Sequence, residues 1–178
     1  MRLYFLIAMA ITCCNTNAQM KKRTTGTANR ETDFGKSILH AFVQHDVDAF
    51  TALYPTNAEY KTILQAGLAA KAEGLTQQKI DEMLTKRNTE AAAAYAALFK
   101  QYQAMADSVG VKWSDALFEK FDFNAVYPVP VKLKYLEATI WFRCGKRHYA
   151  IDGIQAVEIA AGYRLQGITN ILQVDDGD

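Results

Sequence analysis

Apolar positions along this 178-residue chain follow two different periods, and the change between them falls at Gly110. Before it, Phe34, Ile38, Ala41 and Phe42 recur at the spacing that lines one side of a helix. They predict a first amphipathic helix over about 33–45, with Thr32 or Asp33 as its N-cap. Asp46 caps a short second helix that carries Val47, Phe50 and Leu53 on one side and runs through Tyr54, where Pro55 breaks it. Thr56 followed by Glu59 has the spacing of a capping box, which opens a third helix bearing Tyr60, Ile63, Leu64 and Leu68 and ending near Gly74. Thr76 caps a long fourth helix, in which Ile80, Met83, Leu84, Arg87, Ala91, Ala94, Tyr95, Leu98, Tyr102 and Met105 keep one stripe until Gly110 stops it. The run Ala91-Ala92-Ala93-Ala94 favours helix and lets a neighbour approach closely.

After Gly110, β-branched and aromatic residues take over and the period falls towards two. Four strands are predicted, at about 111–123, 131–144, 147–160 and 163–173. Glycine supplies the backbone freedom for tight turns at Cys144-Gly145-Lys146-Arg147 and Ala160-Ala161-Gly162, while Tyr127-Pro128-Val129-Pro130 forces an extended connection. Helices first and an antiparallel meander afterwards predict an α+β domain with the helices packed on one face of the sheet.

The chain is long enough for one sizeable core and hardly for two, so 33–178 reads as a single domain. Ahead of it, Arg2 and the apolar run Leu3–Ile11 have the form of a signal peptide over 1–18, too short to anchor in a bilayer, with cleavage expected between Ala18 and Gln19. The vicinal Cys13-Cys14 offers a competing outcome, lipidation and membrane attachment. With cleavage at Ala18 the mature protein keeps only Cys144, which reads as a half-buried strand residue, and stability then rests on packing rather than disulfides. The Thr-rich segment 19–32, with Lys21, Lys22, Arg23 and Arg30, reads as a basic flexible linker. Residues 33–178 carry slightly more acids than bases, which argues against a nucleic-acid partner. The expected location is the periplasm, cell envelope or exterior.

The helix-rich first half, the helix–bend–helix opening from Ile38 to Tyr54, and the meander ending in Tyr149-Ala150-Ile151-Asp152-Gly153-Ile154 and Gly162-Tyr163-Arg164-Leu165-Gln166-Gly167-Ile168 resemble the cystatin-like, or nuclear transport factor 2-like, superfamily. The chain is similar in particular to small exported proteins of that fold, over roughly 34–172. One departure is that 56–74 reads as helix where that superfamily places a short hairpin. The resemblance implies a cone-shaped fold: helices close one side of a curved antiparallel sheet of about four strands, and a pocket opens between them. It does not choose among isomerases, dehydratases and non-catalytic binding or assembly modules.

On the second predicted strand, Leu136, Ala138, Ile140 and Phe142 share a core face, while Leu133, Tyr135, Glu137, Thr139, Trp141 and Arg143 share a mixed face suited to solvent or to a ligand. The residues available to a ligand are Tyr102, Tyr127, Tyr135, Trp141, Arg143, His148 and Asp152. An isomerase-type site needs a carboxylate base and a tyrosine or protonated acid beside an apolar pocket. Asp152, Glu158 or Asp122 could supply the base and Tyr135, Tyr127 or Tyr102 the donor, but Asp152-Gly153 reads more simply as a strand bulge. His40, His45 and His148 lack metal-site spacing, glycines fall singly, and Ser37, Ser108 and Ser114 lack a nucleophile-elbow context. No metal and no cofactor is therefore expected.

Two functions follow as expectations. The first is an exported non-catalytic module holding a small apolar ligand or a protein partner at the concave sheet face. The other is an isomerase- or dehydratase-like enzyme using a buried carboxylate and a tyrosine in the same cavity. Homodimerisation through the outer sheet face is compatible with both.

Overall fold

The computed structural model describes residues 29–72, 74–127, 131 and 133–174. The expected signal peptide, Cys13, Cys14, the linker as far as 28 and the Pro128-Val129-Pro130 connection lie outside the described residues.

Among the described residues four helices come first: α1 (Asn29–Val43), α2 (Val47–Ala52), α3 (Asn57–Ala69) and α4 (Gln77–Ser108). Their starts obey the capping chemistry of the sequence. The Asp46 carboxylate accepts from Ala49 N at 2.8 Å, Thr56 and Glu59 form a reciprocal capping box, and Thr76 Oγ1 accepts from Lys79 N at 3.2 Å. Helix α1, however, begins at Asn29, so residues 29–32 are helical rather than linker. The reason is tertiary. Glu31 is buried, accepting from Lys134 Nζ at 2.9 Å and from Tyr163 Oη at 2.6 Å, while Arg30 pairs with Glu158 at 3.7 Å.

After α4 the chain makes a 3-10 turn, Trp113–Asp115, and then five strands: β1 (Ala116–Val126), β2 (Tyr135–Cys144), β3 (Arg147–Ile159), β4 (Gly162–Gly167) and β5 (Asn170–Val174). The sheet is antiparallel in the order β1-β2-β3-β4, and β5 pairs with β3 as well. Two strand expectations change here. Residues 111–115 are not strand, because Trp113 turns inward between the rings of Phe42 and Phe142, at 5.2 and 5.5 Å. The predicted strand at 163–173 is two strands that share one edge of β3, β4 along Gln155–Ile159 and β5 along His148–Asp152.

That division follows from one glycine. Asp152 and Gly153 together oppose Thr139, forming the bulge expected at this dipeptide, and Gly153 takes φ +63°. Thr169 fits against it: Thr169 N donates to Asp152 O at 3.1 Å, and Thr169 Oγ1 donates to Gly153 O at 3.3 Å. The edge ladder therefore breaks at the same point as the long strand beside it.

The helices cover the sheet face carrying Leu136, Ala138, Ile140 and Phe142, as the alternation predicts. Through this interface runs a continuous stack of rings, Phe99–Phe42–Trp113–Phe142–Tyr149, with successive centroids 5.2–5.5 Å apart. Such contacts contribute about 0.5–1.5 kcal/mol each beyond the burial itself. A separate, smaller cluster, Tyr60, Leu64 and Ile80, joins α3 to the start of α4. Among the described residues, no helix is long and apolar enough to cross a membrane.

Candidate functional site

Where the two clusters meet, Arg87 lies on the buried side of α4 with only 4 % of its surface exposed. Each of its three nitrogens donates one hydrogen bond: Nε to Asn57 Oδ1 at 3.1 Å, one terminal nitrogen to Tyr95 Oη, and the other to the carbonyl of Pro55. The guanidinium carbon stands 4.5 Å from the Tyr60 ring centroid and 5.4 Å from that of Tyr95. These contacts use three of the five N–H donors a guanidinium carries. Among the described residues, no ion pair joins it to an acid. The nearby Glu59 carboxylate is engaged elsewhere, accepting from Arg164 at 2.8 and 3.0 Å and from Thr56 N at 2.7 Å. The hydrogen bonds from Arg164, outweighing the effect of burial, hold the Glu59 carboxyl below its ordinary range.

Arg87 borders a partly enclosed recess of about 50 Å³ between the helices and the sheet. Its walls include Tyr54 and Pro55 after α2, Tyr60 of α3, Tyr95 of α4, and Leu165 and Gln166 of β4. Two polar atoms on these walls, Tyr54 Oη and Gln166 Nε2, are buried with no hydrogen-bond partner among the described residues. Tyr54 lies face to face with Tyr95 at 4.0 Å, and burial, with smaller contributions from Tyr102 and Tyr95, pushes its phenol well above its ordinary pKa. It is therefore a neutral hydroxyl at any physiological pH, able to donate as well as accept. Proteins rarely bury polar groups in this state, because an unmade hydrogen bond costs about 1–3 kcal/mol.

The residues singled out from sequence fall elsewhere. Tyr135, Trp141, Arg143, His148 and Asp152 occupy the face of the sheet turned away from the helices, so of the two readings of this mixed face, solvent or ligand wall, the structure puts it on the outer surface rather than under the helices. Strand alternation puts them opposite the core face of Leu136, Ala138, Ile140 and Phe142, the parity read from the sequence. There, Lys120 lies 4.7 Å over the Trp141 ring and 2.8 Å from Asp122. Glu119 gathers His148 at 3.0 Å and Arg143 at 3.8 Å, which engages part of the basic hairpin cluster within the chain. Burial raises the Tyr135 phenol to about 12. Tyr127 is 55 % exposed. Tyr102 is buried and pins the β4–β5 connection, donating to Ile168 O at 2.8 Å and accepting from Ile168 N at 3.3 Å. Cys144 is half-buried at the end of β2, and burial raises its thiol.

The three acids considered as bases are likewise placed. Asp122 and Asp152 border a shallow depression of about 150 Å³ on the outer face, where Asp152 accepts from Thr139 at 2.6 Å. Glu158 pairs with Arg30 at 3.7 Å and Lys134 at 3.4 Å. None of the three lines the Arg87 recess, and no tyrosine lines the depression.

Arg87, Tyr54 and Gln166 were not among the residues singled out from sequence. The available signal was Arg87 itself, a charged residue in line with the apolar stripe of α4. Tyr54 and Gln166 carry no comparable mark, since only the tertiary fold brings β4 against the end of α2, through Leu165 N donating to Leu53 O at 2.8 Å. No protein-family model, curated protein or solved structure matches this chain.

Proposed function

We propose that this chain is an exported, non-catalytic binding module of cystatin-like, or nuclear transport factor 2-like, type, and that its ligand site is the Arg87 recess. The order of elements supports the fold reading: helices first, then a long antiparallel sheet whose central strand is interrupted by a glycine bulge. The export part of the reading rests on the N-terminal charge and apolar run alone.

The observation that carries the binding reading is the pair of buried, partnerless polar atoms, Tyr54 Oη and Gln166 Nε2, on the walls of one recess. Among the described residues they represent hydrogen bonds left unmade, and a bound molecule would complete them. The lining favours binding over catalysis, because it contains tyrosines, an arginine, an amide and apolar side chains but no carboxylate, imidazole or thiol to act as a general base.

A screen of small organic molecules by thermal shift, followed by methyl spectra of the full chain, tests this reading. Binders should move the Leu98 and Leu165 methyl signals, which belong to the recess. Binders that leave those signals in place and perturb Trp141 instead would transfer the site to the outer sheet face and defeat the proposal.

A further inference from the structure

The recess is rich in donors. Arg87 keeps two N–H groups beyond the three it uses, Gln166 presents a buried amide nitrogen, and Tyr54 a buried hydroxyl. The neighbouring acceptors, Pro55 O and Asn57 Oδ1, already receive bonds from Arg87. Donors thus remain around a cation that no ion pair among the described residues joins to an acid. A buried charge in this condition costs several kcal/mol unless something of opposite sign approaches it.

We propose that the recess receives a carboxylate group, either a small free acid or the acidic end of a larger molecule. This rests on the recess being the ligand site. Three features select the class. An anion supplies the charge missing beside Arg87 and accepts from all three donors at once. The planar guanidinium suits a planar, two-oxygen acceptor. The volume of about 50 Å³ holds about four waters at 10–15 Å³ each, which suits a carboxylate with its first carbons and leaves a larger acid to extend outward past Ala94 and Leu98.

The experiment follows the Gln166 side-chain amide signals of the isotopically labelled full chain as sodium acetate is added, against sodium chloride at equal ionic strength. Acetamide serves as the neutral analogue and inorganic phosphate as the bulkier anion. Acetate should shift these signals saturably while chloride and acetamide do not, and phosphate should bind more weakly than acetate. Tyr54→Phe removes a hydroxyl that no described residue bonds, so it should fold normally and weaken acetate about tenfold, the effect of one charge-assisted hydrogen bond. Arg87→Gln should abolish the response; if that variant does not fold, Tyr54→Phe decides alone. Unchanged acetate affinity in Tyr54→Phe, or a response to acetamide or phosphate stronger than to acetate, would overturn the carboxylate assignment while leaving the recess as the binding site. Silence of Gln166 towards these probes and every hit of the small-molecule screen would overturn both.

Discussion

Tyr54 and Gly153 illustrate how differently single residues are tied to the fold. The Tyr54 ring is packed against Tyr95 and Phe50, but its hydroxyl has no partner among the described residues, so Tyr54→Phe should leave stability unchanged or raise it by about 1–3 kcal/mol in denaturant unfolding. Gly153 permits no such exchange. Its φ is +63°, and a Cβ there would lie 2.3 Å from Thr169 Oγ1. Gly153→Ala should therefore lower unfolding free energy by about 1–3 kcal/mol and selectively loosen the β4–β5 connection, measured as lost amide protection at Thr169. An unperturbed Thr169 amide would show that the bulge tolerates a side chain.

Between elements, the strongest polar tie is the one that extends α1 into the segment expected to be linker. Burial alone would raise the Glu31 carboxyl, but hydrogen bonds from Lys134 and Tyr163 outweigh it and hold it below the ordinary value of 4.5. A group lowered in this way stabilises the fold above its unfolded pKa and loses that contribution as pH falls through the folded value. Glu31→Gln should accordingly cost about 1–3 kcal/mol at neutral pH, with the difference from the parent shrinking in acid. Urea unfolding across the acid range checks this, and a gap independent of pH would remove the carboxylate's role. The alkaline side mirrors it. Burial works to lower Lys134, yet its bonds to Glu31 and Tyr163 raise it above 10.5, while burial is the main cause that raises Tyr163 to about 12. Their stabilisation is present below the ordinary lysine and tyrosine values and is lost as pH climbs through the raised ones.

At the scale of the whole molecule, the fold has a large aromatic core and a lighter appendage. The core cluster runs from α1 and α2 through α4 into all five strands, whereas the buried apolar cluster of α3 with the start of α4 consists of Tyr60, Leu64 and Ile80. Less buried surface means a lower free energy of local opening. Amide hydrogen exchange should therefore be faster along α3 and residues 77–86 than along α1, β2 and β3. Arg87 stands where the appendage joins the core, bonded to Asn57 on one side and Tyr95 on the other, so occupation of the recess should slow exchange in α3. Equal protection of both regions would mean that the hairpin is an integral part of the main core.

Much of this architecture is legible in the sequence. Helix starts at Asp46, Thr56 and Thr76 are local capping events, the change of period at Gly110 reflects backbone geometry, and the two tight turns need glycine at fixed places. Each is decided by atoms a few residues apart. The early start of α1 at Asn29, the inward turn of Trp113 and the division of the last strand at Thr169 each depend on partners far along the chain: Lys134 and Tyr163, Phe42 and Phe142, and Gly153. The candidate site belongs wholly to this second kind. Arg87 stands out in the stripe of α4, but its lack of an acid partner among the described residues, and the convergence of Tyr54 and Gln166 beside it, are properties of how α2, α4 and β4 pack, because hydrogen bonds left unmade can be recognised only when the neighbours are in place.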